Sequence, residues 1–227
     1  PGEVETLFVF DDELDPGLPI ARAVVRAHDA SFRPGRAAVV VAGAPPPGRT
    51  GKLNAMIAGA ARARGSLIAF GDSDTRPDRE LLRELVETLL TTRLAGSAFA
   101  PVVIDDAPRG AGDVLYALMQ TALYAPLAAR AGAGGDGALP FIMGQIMIFK
   151  REALAAIGGV ESATGQLVDD MYLGRRVAGA GYRNILVKRG LKVPTGGLSL
   201  RAFLPIYRRW MAFSRNGLPM SFTWPQW

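Results

Sequence analysis

The sequence predicts an α/β fold with a mainly parallel sheet flanked by helices, followed by a basic, aromatic C-terminal tail. Over the first hundred residues, short apolar runs alternate with segments of helical periodicity. Aspartates stand directly after two of those runs, at 11–12 and at 72 and 74, where the parallel strands of a sheet end. The 227 residues are 49% hydrophobic and 21% charged, which is typical of a globular chain.

The spacing of apolar residues in the first half of the chain predicts four strands and three helices. Strands are predicted at 6–10, 37–42, 66–70 and 97–103, and helices at 17–29, at 53–63 and after Pro77. The helix after Pro77 has Asp78 and Glu80 in its first turn, where acidic side chains complement the helix dipole. The run GAPPPGRTG, at 43–51, is a loop because of its prolines and glycines.

The second half predicts a helix at 111–131, a strand at 145–150 and a helix at 168–178. The glycine-rich run AGAGGDGALP ends the first of these helices. A tail begins near residue 196, and Pro205 interrupts it. The sequence therefore predicts no single continuous helix over 199–215.

The composition excludes several kinds of chemistry. There are no cysteines, so disulfides, zinc–thiolate sites and cysteine nucleophiles are excluded. His28 is the only histidine, so metal sites with several histidines are excluded as well, and we assign His28 no role. Acid–base catalysis in this chain must therefore depend mainly on carboxylates.

The charge is distributed unevenly along the chain. The net charge is +5, yet the 57 residues from Met171 onward contain ten Lys and Arg and no Asp or Glu. The same part of the chain holds all three tryptophans, Trp210, Trp224 and Trp227. Basic residues mixed with aromatic ones fit an anionic membrane surface or a nucleic acid. No apolar run reaches the roughly 20 residues that a membrane-spanning helix needs.

Two groups of aspartates are expected at one rim of the sheet. Asp11 and Asp12 end the first strand, and Asp72 and Asp74 end the third. Carboxylates that lie close together repel one another, and a bound Mg²⁺ or Mn²⁺ would remove that penalty. The alternative is structural, because an Asp-x-Asp sequence also serves as a turn and helix cap ahead of Pro77.

Three further segments are candidates for a site. Asp169 and Asp170 begin a predicted helix, where they either do chemistry or only complement the helix dipole. Lys52 lies near a helix start, from which it can reach a phosphate, although the Walker spacing is missing. Gly144 precedes an apolar strand, which indicates a tight turn or the close approach of a substrate.

The order of these segments resembles a known enzyme family. An acid after a strand is followed by Lys-x-Asn, Asp-Ser-Asp, Gly-Gln-x-Met, Asp-Asp before a helix and Arg-Arg-Trp. This order resembles the inverting, family 2-like glycosyltransferases with the GT-A fold, and in particular the ceramide glucosyltransferase type and its bacterial relatives. The resemblance runs from about Leu7 to Arg215.

The resemblance implies a role for each matching residue. Asp170 would be the general base, and Asp72 and Asp74 would hold Mg²⁺ or Mn²⁺. The implied nucleotide-sugar contacts are Asp11 or Asp12, Lys52, Asn54, Asp72, Arg208, Arg209 and Trp210. The implied acceptor contacts are Gly144, Gln145 and Asp169.

The resemblance also implies a function. The expected reaction moves a sugar, glucose by analogy, from a UDP-linked donor to a lipid acceptor with inversion. It would take place at the cytoplasmic face of a membrane, with no nucleic acid involved. The expected organisation is a catalytic domain at 1–195 and a membrane-facing tail at 196–227.

This chain departs from the family pattern in two respects. Ile206 stands where the family has Gln or Arg before Arg-Trp. Relatives also have an earlier strand and flanking membrane helices, which these 227 residues do not supply in sequence. We therefore expect a piece of a longer protein whose catalytic domain lacks its first strand.

Two other classes of protein are consistent with part of the sequence. A nucleotidyltransferase also uses metal-binding aspartates on a similar sheet, but it would not need Asp170 as a base. A non-enzymatic, basic peripheral module would bind anionic lipid or nucleic acid through the tail. That second alternative leaves the ordered aspartates unexplained.

Overall fold

The computed structural model describes residues 4–31, 34–104, 106–133 and 137–217. The strands are β1 (Glu5–Phe10), β2 (Arg36–Val41), β3 (Leu67–Gly71), β4 (Ala95–Phe99), β5 (Val102–Ile104), β6 (Ala138–Leu139), β7 (Ile146–Lys150), β8 (Arg183–Leu186) and β9 (Leu191–Val193). The helices are α1 (Leu18–Ala30), α2 (Gly51–Arg62), α3 (Arg79–Thr91), α4 (Ala111–Ala133), α5 (Arg151–Ala156), α6 (Asp169–Gly179) and α7 (Leu200–Gly217). This alternation of strands and helices confirms the predicted α/β class.

Five strands form the main sheet in the order β3, β7, β4, β8, β6. The pair β4 and β8 is parallel, while β7 is antiparallel to both β3 and β4 and β6 is antiparallel to β8. Two smaller parallel pairs, β1 with β2 and β5 with β9, complete the strands of the described ranges. The strand predicted at 145–150 therefore lies inside the sheet, between two strands that precede it in the chain.

The main sheet is covered on both faces. Ile68 packs in the larger apolar core, which includes Leu53 and Met56 of α2. Its neighbour Leu67 packs against the second core, which includes Leu81 and other leucines of α3. Because successive side chains of a strand point to opposite faces, α2 and α3 cover opposite faces of the sheet.

A groove separates β1 from β3. It has a volume of about 1650 Å³, and residues of both strands, of α2 and of α3 line it. Within the described ranges no strand pairs with the groove-facing edge of β1 or of β3. The expectation that relatives have an earlier strand stays a prediction.

The structure differs from the predicted elements at several points. The strand predicted at 97–103 is divided into β4 and β5, because Pro101 has no N–H for the ladder. The short elements α5, β6, β8 and β9 were not predicted, and neither was a 3₁₀ turn at Val160–Ala163. These elements have too few residues for a periodicity to be recognised.

The prediction that Pro205 prevents a continuous helix over 199–215 was wrong. The segment forms one helix, α7, with Pro205 inside it. Pro205 is solvent-exposed near the beginning of the helix, so water can satisfy the carbonyl of Arg201 that loses its partner. Trp224 and Trp227 lie outside the described residues. No helix in the described ranges has the length and apolar character to cross a bilayer.

Candidate active site

A cavity of about 340 Å³ opens where β3 ends, where β7 and α6 begin, and beside α7. Its polar lining consists of Thr50, Lys52, Asp72, Gln145, Asp169, Asp170 and Arg209. The remaining lining residues are Leu123, Met143, Gly144, Leu167, Val168, Met171, Trp210 and Phe213. Carboxylates and cations therefore share one cavity with an apolar wall.

Lys52 is positioned by the beginning of α2. The side chain of Thr50 caps this helix by accepting a hydrogen bond from Leu53 N at 3.1 Å, so Lys52 lies in the first turn. Its Nζ is 2.7 Å from Asp72 Oδ1 and donates a hydrogen bond to Gly144 O at 3.0 Å. Burial opposes the charge of Lys52, but Asp72 and Asp170 outweigh it and raise the pKa of this ammonium.

Asp72 directly follows β3. Its backbone N–H donates to Gln145 O at 3.0 Å, which continues the β3–β7 ladder by one residue. Burial raises the pKa of the Asp72 carboxyl, and Lys52 acts in the opposite direction. Asp74 adds a smaller repulsion that raises the same pKa.

Asp170 lies in the first turn of α6, against the segment before β7. Burial raises the pKa of Asp170 to about 6, although Lys52 and the N–H groups of Met171 and Gly144 lower it. A side chain at Gly144 would place its Cβ only 2.5 Å from Asp170 Oδ2, so this position requires a glycine. Asp169 also raises the pKa of Asp170, and its Oδ1 accepts a hydrogen bond from Asp170 N at 2.8 Å.

A buried hydrogen bond fixes one side of the cavity. Tyr124 of α4 donates from its hydroxyl to Gln145 Oε1 at 2.6 Å. Both residues are buried. The orientation of the Gln145 amide, which lines the cavity, is therefore set by a residue of α4.

The structure places several predicted residues elsewhere. Asp11 and Asp74 line the groove between β1 and β3 and not the cavity, while Lys52 and Asp72 line both. Asp12 is exposed and accepts a hydrogen bond from Leu14 N at 2.7 Å, as in a turn.

Asn54 and Arg208 also lie outside the cavity lining. Asn54 is buried, and its Nδ2 donates to Gly43 O at 3.0 Å, which ties α2 to the end of β2. Arg208 is exposed on α7, and the neighbouring Arg209 lines the cavity. Ile206 packs against the larger apolar core, as an apolar side chain at this position should.

Some residues of the cavity were not identified from the sequence. Tyr124, Leu123 and Phe213 belong to helices whose periodicity shows only which positions share a face. Thr50 had a signal, because a threonine directly before a helix is a typical cap. No local pattern indicates that α4 contacts the loop before β7.

The carboxylates suit a divalent cation only in part. Within the described ranges, no group of three or more acidic or histidine side chains is arranged to hold an ion. Asp72 and Asp74 are hard oxygen donors one residue apart, and Mg²⁺ is typically held by one or two carboxylates together with substrate phosphates. The pair therefore fits a cation that a diphosphate also contacts, with Lys52 Nζ beside one oxygen of Asp72.

Comparisons with known proteins identify a family and a similar fold. The family described as Glycosyl transferase family 21 matches residues 2–225. The fold is similar to that of a solved structure, the mannosyltransferase PcManGT from Pyrobaculum calidifontis in complex with GDP-Man and Mn²⁺, with a TM-score of 0.62 at 21% identity. The match covers 94% of this chain and 53% of that one, so the chain spans about half the length of the solved protein. No curated protein matches the sequence.

Proposed function

The chain belongs to glycosyl transferase family 21, and from that premise we propose that it transfers a sugar from a nucleotide-sugar to a lipid acceptor with inversion. The observation that carries the proposal is that Asp170, Lys52 and Asp72 line one cavity. A proton acceptor and a cation are thus close enough to act on one substrate. The finer assignment, by resemblance, is a UDP-linked donor carrying glucose.

Asp170 is the general base in this proposal. Its pKa of about 6 leaves it ionised at neutral pH, and it remains basic enough to accept a proton from an attacking hydroxyl. Such a base typically contributes about 10²–10⁴-fold to the rate. Gly144 gives Asp170 its place, because any larger residue there would collide with the carboxylate.

The cations stabilise the leaving group. A nucleoside diphosphate gains negative charge as the glycosidic bond breaks, and Lys52 and Arg209 line the cavity where that charge would develop. A Mg²⁺ or Mn²⁺ ion bound by Asp72 and Asp74 would supply further positive charge to the diphosphate. Asp11, which lines the same groove as Asp72, is the proposed contact for the nucleoside.

A lipid acceptor suits the apolar side of the cavity. Leu123, Met143 and Phe213 line it together with Trp210. Gln145 and Asp169 supply polar groups for the head of the acceptor. We further propose that the enzyme works at the cytoplasmic face of a membrane, with α7 in the interface.

Thermal unfolding with a panel of nucleotide-sugars, each with and without Mn²⁺, tests the donor assignment. One donor class should raise the Tm, and Mn²⁺ should increase that shift, because a ligand that binds only the folded state stabilises it. Asp74→Ala should lose the increase due to Mn²⁺. Asp29→Ala, which removes an exposed carboxylate of α1, is the matched control and should keep it.

The same panel distinguishes sugar transfer from the alternative enzyme class, nucleotidyl transfer. A Tm shift with nucleoside triphosphates and none with nucleotide-sugars would contradict sugar transfer and favour nucleotidyl transfer. The anomeric configuration of the product, read by NMR, decides inversion. Retention of the donor configuration would exclude the single displacement that Asp170 serves.

A further inference from the structure

The position of Arg209 depends on where α7 lies. Arg209 lines the cavity, and among the described residues no ion pair holds its guanidinium group. It is the tenth residue of α7, so it lies about 14 Å from the beginning of the helix. A tilt of about 5° at that beginning would displace Arg209 by about 1 Å. Small movements at the start of α7 therefore reach the cavity.

Apolar contacts hold the middle of α7 against the protein. Phe203 is buried in the larger core, and Ile206 and Trp210 pack against it. The hydrophobic effect is non-directional, so these contacts fix the orientation of the helix less closely than hydrogen bonds do. Two exposed glycines precede α7, Gly196 and Gly197, and glycine restricts the backbone least. The beginning of α7 thus needs a directional contact.

Asp113 of α4 makes such a contact. It is 1% exposed, and its Oδ1 accepts a hydrogen bond from Leu198 N at 2.7 Å. Leu198 directly precedes Ser199, whose Oγ caps α7 by accepting a hydrogen bond from Ala202 N at 3.2 Å. Hydrogen bonds to an ionised carboxylate are roughly twice as strong as neutral ones. This bond therefore fixes the residue before the helix cap to α4.

The second oxygen of the same carboxylate serves α4 itself. Asp113 Oδ2 accepts hydrogen bonds from Arg109 N at 2.9 Å and from Gly110 N at 3.2 Å, and Asp113 N donates to Gly110 O at 3.1 Å. This exchange is similar to a capping box. The N–H group of Arg109 lowers the pKa of the Asp113 carboxyl most, burial opposes it, and Leu198 N lowers it further. Each oxygen of Asp113 thus holds the beginning of one helix.

Two glycines let the beginnings of α4 and α7 meet. A Cβ at Gly110 would lie 2.7 Å from Leu198 O, and a Cβ at Gly112 would collide with the carbonyl oxygens of Leu198 and Ser199. These oxygens belong to the backbone and cannot turn away as a side chain would. The two segments are therefore in direct backbone contact as well as hydrogen-bonded.

An amide cannot replace the Asp113 carboxylate. All three hydrogen bonds to its oxygens come from backbone N–H groups, and an ionised carboxylate accepts at both oxygens. Asparagine has one acceptor oxygen, and its NH₂ group would face other donors. Asp113→Asn can keep the bonds within α4 or the bond to Leu198, and it loses the other.

We propose that Asp113 is a positioning residue for sugar transfer, which holds the beginning of α7 so that Arg209 reaches the leaving group. This inference rests on the proposed function, from which it takes the contact between Arg209 and the diphosphate. Asp113 does not line the cavity, so it acts through α7 and touches no substrate. Its loss displaces the guanidinium group of Arg209 without removing it.

A double-mutant cycle on nucleotide affinity tests this role, with UDP and GDP, each with Mg²⁺, as the probes in calorimetry. We expect Asp113→Asn to weaken binding of the preferred nucleotide about tenfold when Arg209 is present. In the Arg209→Gln background the same change should alter affinity less than about twofold, because its effect passes through Arg209. Equal factors in both backgrounds would show a general structural effect and overturn the proposal.

Glu84→Gln is the matched control. Glu84 of α3 also accepts hydrogen bonds from two backbone N–H groups of a distant segment, Lys188 N at 3.0 Å and Arg189 N at 3.3 Å. No residue of α3 lines the cavity, so this variant should keep native nucleotide affinity even where its Tm is lower. A loss of affinity equal to that of Asp113→Asn would overturn the proposal.

Gly112→Ala tests the same contact without changing the carboxylate. The new methyl group pushes Leu198 and Ser199 away from α4, so affinity should fall as it does in Asp113→Asn. Gly179→Ala is its control, because a Cβ there meets nothing within 4 Å. Circular dichroism verifies that each variant is folded. Native affinity in both Asp113→Asn and Gly112→Ala would overturn the proposal.

Hydrogen exchange separates this inference from the proposed function, because it needs no ligand. Amides at 200–204 should exchange faster in Asp113→Asn than in the native chain, and those of β7 should not change. Unchanged exchange at 200–204 would overturn the proposal. A native chain that binds neither UDP nor GDP would overturn the proposed function and the role of Asp113 in transfer. The exchange result alone decides whether Asp113 holds α7.

Discussion

Asp72 and Asp170 line the same cavity, yet their surroundings differ. Burial is the largest cause of a raised pKa at both residues. Asp72 has Lys52 Nζ at 2.7 Å, whereas the groups that hydrogen-bond Asp170 are backbone N–H groups, including Met171 N at 2.7 Å. Lys52 therefore contacts the first carboxylate directly, and it acts on the second only from beyond hydrogen-bond distance.

This difference indicates different functions for the two carboxylates. At Asp72 the close cation opposes the effect of burial and favours the charged form of the carboxylate. A carboxylate with a pKa near the working pH can accept and release a proton. Asp72 is therefore suited to bind cations and phosphate-bound metal, and Asp170 is suited to move a proton.

The largest expected effect comes from Asp170→Asn. The rate of transfer should fall about 10²–10⁴-fold, because the base is lost, while donor binding should stay nearly unchanged. Steady-state kinetics and calorimetry with the donor would measure these quantities. Native activity in this variant would show that Asp170 is not the general base.

The same variant should be more stable than the native chain at pH 8. Raising a carboxyl pKa from 3.8 to about 6 corresponds to a cost of up to about 3 kcal/mol for the ionised form, and asparagine removes it. The cost is present above pH 6 and absent below about pH 4, so the gain in Tm should disappear on acidification. A Tm that is lower at pH 8 would contradict the burial argument.

Lys52→Met should lower the rate by about 10²–10³-fold, because a cation at the leaving group is lost. The variant also removes the ammonium that lies 2.7 Å from Asp72 Oδ1. In the native chain kcat/KM should fall below about pH 6 as Asp170 becomes protonated. Since Lys52 lowers the pKa of Asp170, this midpoint should move to higher pH in Lys52→Met, and Lys52→Arg should keep it low.

Gly144→Ala should lower the rate by about 100-fold, because the new methyl group displaces the Asp170 carboxylate. Asp72 and donor binding should be little affected. Gly179→Ala is the matched control, as a Cβ at this position of α6 meets nothing within 4 Å. If both variants have native rates, the position of Asp170 is not set by Gly144.

Tyr124→Phe should have the smallest effect. Removing the hydroxyl leaves Gln145 Oε1 without its donor, at a cost of about 1–3 kcal/mol in stability. We expect a few-fold increase in the KM for the acceptor and no change in the KM for the donor. Tyr182→Phe, away from the cavity, should change neither constant.

The sequence predicts best those helices and strands that are defined by a local pattern of apolar residues. The boundaries of β1, β2, β3, α1 and α2 agree with the predictions to within about two residues, because apolar periodicity decides them. The position of β7 between β3 and β4 was not predictable in this way, since strand order depends on contacts between distant segments. The prediction of α7 failed at Pro205. This proline is exposed, so water can satisfy the carbonyl group that loses its hydrogen bond, and the helix continues through it.

Only the charged residues of the candidate site could be predicted from positions in the sequence. Lys52, Asp72, Asp169 and Asp170 stand at the ends of predicted elements, where a shared rim brings them together. The hydrogen bond between Tyr124 and Gln145 was not predictable from the sequence. It joins a residue of α4 to the residue before β7, 21 positions later, and no local pattern indicates it.

The groove beside β1 leaves one part of the molecule weakly attached. β1, α1 and β2 contact the remainder mainly through α2 and share no hydrogen-bonded ladder with the five-stranded sheet. Such a unit is able to open and reclose without global unfolding, so its amides should exchange with solvent before those of β7. Asp11 lies on this unit and Asp72 on the other side of the groove. A ligand that contacts both residues spans the groove and binds only when this unit is closed. Its binding free energy therefore adds to the stability of the first forty residues against local unfolding.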